Sequence, residues 1–331
     1  MQIIAHEDAD GICSAALMRM ANPTSRVFFS KPCSLLRDLD QIDPIGDLAV
    51  LDLALCELSK ELIVSRLCQW RGHVLYIDHH PDTAASFPEK RRVELVVGEN
   101  SSSELTFSYL GSKLRREAER VMLMGAIGDY ADLTPLCIDR LNRWDKRSIF
   151  LQAGFLCSAL EVTRSDHEFH RHIVDLLASC RLPSDDNRIV TSAVRASGLE
   201  EVFRQRVESR AQKVGRIGVA HDLDGPAGKG AIYAAAATGL SIGAYVDKDS
   251  RRGLADVSFR VVDKSVDLNR ILRAVAPKLG ASGGGHPQAC GARVPLDKLD
   301  RLLEAINEQL SNLTQRRAQQ RFSLAPVSKS C

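Results

Sequence analysis

The chain of 331 residues is poor in features that mark several functional classes. Aromatic residues make up only 5% of it, with two tryptophans, so it offers little of the stacking surface that proteins use to track long single strands. Charge of one sign is also missing. The 44 Lys and Arg residues against 42 Asp and Glu leave a formal net charge of +2. A long polyanion would therefore have to be held by a local patch and not by the field of the whole molecule, which favours small substrates over genomic DNA. The nine cysteines contain no Cys-x-x-Cys pair and read as reduced, buried thiols. No window has the apolar length of a membrane-spanning helix. The first residues form a strand-like run into acids, not a basic segment followed by an apolar one, so the expectation is a cytoplasmic protein without a membrane partner. No internal repeat is present. "DGPAGKGA" at 224–231 lacks the spacing of a P-loop and reads as a turn. "DHEFHRH" at 166–172 lacks the His-Glu-x-x-His zinc pattern and reads as a polar helix or loop.

What is present is an alternation. β-rich runs at 2–6, 26–30, 48–52, 73–78 and 92–97 alternate with helix-like segments near 11–20, 59–68 and 102–115, the pattern of a parallel α/β sheet covered on both faces. Ser101 and Glu104 in "NSSSEL" have capping-box spacing at the start of the last of these helices. From 122 to about 180 the chain reads as mostly helical, and 190–214 as a long polar-faced linker helix. After it come Gly- and Ala-rich strands, "RIGVAHD", "AIYAAAAT", "SIGAYVDK" and "LADVSFRVVD", then a helix, a glycine turn and a last helix from 296 to about 310. The expected organisation is a catalytic α/β domain at 1–189, the linker helix at 190–214, a smaller α/β domain at 215–312 and a flexible tail at 313–331.

In open parallel sheets ligands gather at the carboxyl ends of the strands. The first strand delivers "HEDADG" with His6, Asp8 and Asp10; the third ends at Asp52; the fourth ends "VLYIDHHP" with Asp78, His79 and His80. A further acidic cluster, "GAIGDYAD", offers Asp129 and Asp132. Carboxylates crowded this way repel one another unless positive charge sits among them. Acids and imidazoles from separate elements, more numerous than one ion needs, describe a two-metal site able to clamp a phosphoryl group and acidify water. Mixed oxygen and nitrogen donors suit Mn2+ better than calcium or magnesium, with cobalt, iron and zinc left open.

These residues resemble a known family. "DADG", the strand-terminal Asp, the "DHH" triplet and "GDYAD" are similar to the four motifs of the DHH phosphoesterases, a group that includes oligoribonucleases of the nanoRNase type and RecJ. "SGGGHPQACGARV" resembles the glycine-rich signature of the associated DHHA1 substrate-binding domain. The motifs stand in family order from about residue 2 to about 310. The resemblance implies an N-terminal DHH domain with a parallel sheet flanked by helices and a smaller C-terminal α/β DHHA1 domain. It implies one metal at His6, Asp8 and Asp52, and a second at Asp10, Asp52, His79 and Asp129, with Asp52 bridging. Asp78 would orient the histidine pair, and His80 would contact the phosphoryl oxygens or assist the leaving group. Ile4 stands where many members carry a histidine, so His6 either ligates or lines the site, and Asp132 is the alternative to Asp129. In the second domain Arg260, Gly283, Gly284, Gly285 and His286 would bind substrate.

The expected function is thus a two-metal phosphodiesterase or phosphatase acting on short oligonucleotides, dinucleotides or pAp-like nucleotides. The cofactors would be two divalent ions, with Mn2+ preferred and Mg2+ or Co2+ as alternatives. The runner-up is a single-strand exonuclease of RecJ type, and the rival from another class is a nucleotide sensor whose metal site has decayed. A homodimer fits the family.

Overall fold

The computed structural model describes residues 1–57, 59–88 and 92–323. It divides into two compact units, Met1–Gly198 and a second from Leu199 onward.

The first unit is built on β1 (Gln2–His6), β2 (Arg26–Ser30), β3 (Leu48–Leu51), β4 (Val74–Asp78) and β5 (Val93–Val97). Between them run α1 (Ala9–Ala21), α2 (Leu35–Asp40), α3 (Lys60–Cys68) and the single turn α4 (Thr83–Ser86). After β5 come α5 (Ser102–Leu110), α6 (Ala118–Gly128), α7 (Pro135–Leu141), α8 (Lys146–Val162), α9 (His167–Ala178) and the start of α10 (Asn187–Arg210), whose second half belongs to the second unit. The five strands pair in parallel in the order β2-β1-β3-β4-β5. Every parallel neighbour needs a crossover, which the intervening helices provide.

Side chains alternate across the sheet because a strand repeats every two residues. Ile3, Ala5, Ala49, Leu51, Leu75 and Ile77 face a core shared with α1, α6, α8 and α9. Ile4, Leu48, Val50, Val74 and Tyr76 face the other side, with Leu35, Leu39, Ile63 and Leu67 of α2 and α3. A sheet buried on both faces leaves only its strand ends open to ligands. The order reverses between β1 and β3, so the crevice at this switch point is the place where such a sheet binds.

In the second unit β6 (Gln212–Val214) and β7 (Ile217–His221) precede α11 (Ala227–Thr238), followed by β8 (Ile242–Asp249) and β9 (Leu254–Val261). Then come α12 (Leu268–Val275), β10 (Ser282–Gly285), β11 (Ala289–Pro295) and α13 (Leu299–Ser323). The six strands lie in the order β10-β11-β9-β8-β7-β6. Only β7 and β8 pair in parallel.

Four expectations are corrected here. "AIYAAAAT" is not a strand but most of α11, the crossover that the parallel pair β7 and β8 requires. Four successive alanines favour the helix, and Gly239 ends it in the left-handed region at φ 65°. The helix lies so close to the sheet that a Cβ on Gly243 would stand 1.8 Å from the Ala231 carbonyl oxygen. "DGPAGKGA" is correspondingly a turn only as far as Pro226, and the rest is the first turn of α11. The glycine run of "SGGGH" is strand β10, paired antiparallel with β11, and the reversal comes after it. At the end of the chain α13 continues through Ser323, past the expected end near 310; the rest of the anticipated tail, 324–331, lies outside the described residues.

The expected cysteine chemistry is only partly matched. No disulfide forms among the described residues, yet only Cys13, Cys137 and Cys290 are buried, and Cys33 is exposed. "DHEFHRH" begins α9, with Asp166 accepting from the Phe169 amide as its N-cap.

Candidate metal centre

The carboxyl ends of β1, β3 and β4 bring the expected donors of the first unit together. His6 is the last residue of β1, and Asp8 caps α1 by accepting from the Gly11 amide at 3.0 Å. The turn between strand and helix is tight: a Cβ on Gly11 would stand 2.3 Å from the His6 carbonyl oxygen, so this position tolerates no side chain without movement. Asp10, in the first turn of the helix, is buried. Its two carboxylate oxygens accept from the backbone amides of Ser102 at 2.6 Å and Ser103 at 2.9 Å, at the N-terminus of α5.

Asp52 directly follows β3 and is 3% exposed. It sits in the left-handed region at φ 58°, a conformation Asp and Asn tolerate better than other residues with a Cβ, which turns its carboxylate across the strand ends. His6 Nδ1 stands 2.7 Å from Asp8 Oδ2 and 3.7 Å from Asp52 Oδ2. His79 Nε2 stands 3.4 Å from Asp52 Oδ1 and 3.4 Å from Asp129 Oδ2. Asp129 follows α6 as its C-cap, and it is this acid that reaches His79; Asp132 makes no such contact among the described residues.

Three groups of donor atoms result: His6, Asp8 and Asp52; Asp10, Asp52 and His79; Asp52, Asp78 and His80. Within each, one donor atom per residue lies within 4.8 Å of the others. Asp52 belongs to all three. Asp78, fully buried at the end of β4, accepts from Thr83 Oγ1 and pairs with His80 Nδ1 at 2.7 Å.

The protonation of these groups shows how strained the set is without positive charge in it. Burial pushes the Asp10 carboxyl well above its ordinary range, and the neighbouring Asp52 and Asp129 charges add to that. Burial likewise raises Asp129, to about 6. Burial would lower His79, but its hydrogen bond to Asp52 and the surrounding carboxylates overcome this and raise it to about 10. His6 is raised in the same manner by Asp8 and Asp52. Asp52 itself is held below the usual carboxylate range: burial opposes ionisation, and the two histidines outweigh it. Protons on imidazoles thus stand in for the positive charge that the carboxylates require. A cation meeting the same donors would displace them.

In the second unit Arg260 lies on β9 and donates from Nη1 to the Phe259 carbonyl at 2.9 Å. It is in register with Ala289 of β11, and the next residue, Cys290, is in register with Gly285. Gly283, Gly284 and Gly285 form β10, and His286 closes its hairpin with β11 through the backbone. The fold therefore places Arg260, the glycine run and His286 at one end of the second sheet.

Residues 219–312 match the family model of the DHHA1 domain. The second unit carries a DHHA1 domain. No curated protein sequence matches the chain. Among solved structures, a pGpG-specific phosphodiesterase, PggH of Vibrio cholerae, superposes with a TM-score of 0.59 at 14% identity, covering 94% of this chain and 99% of that one. RecJ of Thermus thermophilus in complex with Mn2+ gives 0.64 at 16% identity, covering 94% of this chain and 52% of RecJ. A DHH domain described as a member of the s1p family of ribosomal proteins, PF0399, gives 0.64 at 14% identity over 93% of this chain and 86% of that one. At these identities the likeness establishes a shared fold.

Several residues at the centre escape a reading by motif. Ser101 caps α5 by accepting from the Glu104 amide at 3.2 Å, as its spacing predicts. Its neighbour Ser102 donates from Oγ to Asp52 Oδ1 at 3.0 Å, across 50 positions of sequence. Ser103 supplies an amide to Asp10, and Thr83 a hydroxyl to Asp78. The only trace these leave in the sequence is hydroxyl residues at helix starts, which caps alone would explain.

Proposed function

We propose that the protein is a metal-dependent phosphoesterase that hydrolyses short oligonucleotides, linear or cyclic dinucleotides, or pAp-like nucleotides. The observation that carries this is Asp52, one buried carboxylate shared by three donor groups at the switch point of a parallel sheet. A crowd of buried carboxylates interleaved with histidines is the chemistry of a cation site, and the mixed oxygen and nitrogen donors suit Mn2+, with Mg2+ or Co2+ as alternatives. His6, Asp8 and Asp52 would hold one ion; Asp10, Asp52, His79 and Asp129 would hold the other. Two divalent cations there supply Lewis acidity to a phosphoryl group and acidify water. The DHHA1 match and the fold shared with a pGpG phosphodiesterase and with RecJ support a nucleotide substrate.

The protein's own groups do the rest. Asp10 is oriented by two amides and Asp52 by Ser102, so both carboxylates are fixed before a ligand arrives. Asp78, itself held by Thr83, pairs with His80 at Nδ1, which sets Nε2 as the nitrogen that hands a proton to the leaving oxygen. Burial works against a charge on His80, and the Asp78 charge more than offsets it, so the ring is raised above its usual range. Arg260, the glycine run and His286 would bind the substrate's phosphate or base.

The experiment is a product analysis by chromatography after incubation with manganese and pNpN, cyclic dinucleotides, pAp, pyrophosphate and longer oligomers. Hydrolysis of the short phosphoesters, lost in Asp52→Ala, is expected. Tight nucleotide binding with no product from any of them would refute the enzyme and establish the sensor reading. The likeness to RecJ favours a second reading, a single-strand exonuclease. Faster hydrolysis per end on a long strand than on a dinucleotide would decide for it.

A further inference from the structure

Beside the metal centre, and formed entirely by the first unit, lies an open recess of about 450 Å3. His6 and Asp8 form one wall. Lys31 enters from the end of β2. Cys157, Leu160 and Glu161 enter from α8, where their i, i+3, i+4 spacing puts them on one face, and Arg164 follows just past the end of the helix. The volume is that of a small-molecule site.

Its charge is mixed, with acids outnumbering bases. Lys31 Nζ is held 2.7 Å from Glu7 Oε1, and the other oxygen of Glu7 stands 3.2 Å from His167 Nε2. Lys31 and Arg164 thus face Glu7, Asp8 and Glu161 around the same opening. Such a lining is a poor receptor for bare phosphate, which needs a surplus of positive charge. It is a good one for a neutral group that has a flat apolar face and a rim of donors and acceptors. Leu160 and Cys157 supply the apolar wall, Glu161 an acceptor, and Arg164 a planar cation of the kind that stacks on bases.

We propose that this recess is the nucleoside subsite, taking the base and sugar next to the phosphate that the metal centre receives. The inference rests on the phosphoesterase reading for the identity of the ligand, and its test does not depend on turnover. Cys157 reports directly. With manganese present, the full chain is treated with N-ethylmaleimide in the absence and presence of GMP, AMP or inorganic phosphate, and modification of each cysteine is followed by peptide mass spectrometry. At a nucleotide concentration about ten times its Kd, modification of Cys157 slows about tenfold, while Cys68, on the far side of the sheet in α3, is unaffected and phosphate protects neither. In Arg164→Ala the nucleotide concentration that half-protects Cys157 rises about tenfold, the scale of one lost charged contact. If hydrolysis does occur, the same variant raises KM more than it lowers kcat.

Equal modification of Cys157 with and without mononucleotide overturns the subsite whether or not the protein hydrolyses anything. Protection by phosphate alone overturns it in favour of an anion site. Protection by mononucleotide in a protein with no hydrolytic activity leaves the subsite standing and removes the phosphoesterase.

Discussion

Asp52→Asn is the sharpest perturbation of the centre, because it removes charge while leaving shape. Asparagine fills the same volume and is among the few residues that accept the left-handed backbone found here at φ 58°. Its amide oxygen can still accept from Ser102 Oγ, so the fold and the strand ends remain. What is lost is one negative charge within 3.4 Å of His79 and 3.7 Å of His6, at the meeting point of all three donor groups. Two unit charges about 4 Å apart interact by about 4 kcal/mol at an effective dielectric of 20. A cation meeting Asp52 therefore loses about that much, which is about a thousandfold in affinity. Because Asp52 is shared, the loss falls on both ions. Titration calorimetry with Mn2+ on both proteins, with circular dichroism to confirm folding, tests this. The wild type should bind two ions, and Asp52→Asn should bind neither at concentrations that saturate the wild type. A folded variant with two-ion stoichiometry and affinities within tenfold of wild type would refute the shared role.

Other perturbations follow the same contacts. Ser102→Ala removes the hydroxyl that donates to the buried Asp52; a hydrogen bond to a charged group is worth about 1.5 to 3 kcal/mol, so the metal-free protein should unfold at lower urea, and an unchanged midpoint would contradict the contact. Gly11→Ala drives a Cβ into the His6 carbonyl; the strain should cost about 1 to 3 kcal/mol and weaken Mn2+ binding, measurable on the same two instruments. The pH dependence has a definite sign. His79, raised to about 10, contributes stability to the metal-free fold that is full below its ordinary value of 6.5 and lost as pH rises through about 10. Asp129, raised to about 6, contributes stability that is full below 3.8 and lost on passing about 6. Metal-free protein should therefore lose stability from about pH 4 to about pH 10. Mn2+ affinity should rise over the same range with release of about one proton at His79, read from calorimetry in buffers of different ionisation heat.

The sheet was legible because each strand is a short apolar run, three of them stopping at or beside an acid or a histidine, and because β-rich and helical segments alternate at the spacing of parallel crossovers. His6, Asp8, Asp10, Asp52, Asp78, His79 and His80 stand out as candidates for a related reason: they lie at or just past strand ends, where a sheet covered on both faces is open. "AIYAAAAT" misled because Ile232 and Tyr233 carry strand preference, while the four alanines and the crossover need of β7 and β8 decide for helix. Ser102 and Thr83 were hidden because their contacts are tertiary. Capping spacing accounts for serine at the start of α5, and nothing local says that the next hydroxyl reaches a carboxylate 50 residues away. The glycine run reads equally as turn or strand until the partner β11 is in place.

The most direct test of the account is an anomalous diffraction experiment on crystals grown with manganese. The account requires two manganese peaks about 3.5 to 4 Å apart at the carboxyl ends of β1, β3 and β4, with the Asp52 carboxylate between them. No peak, or a single peak that Asp52 does not touch, would contradict it.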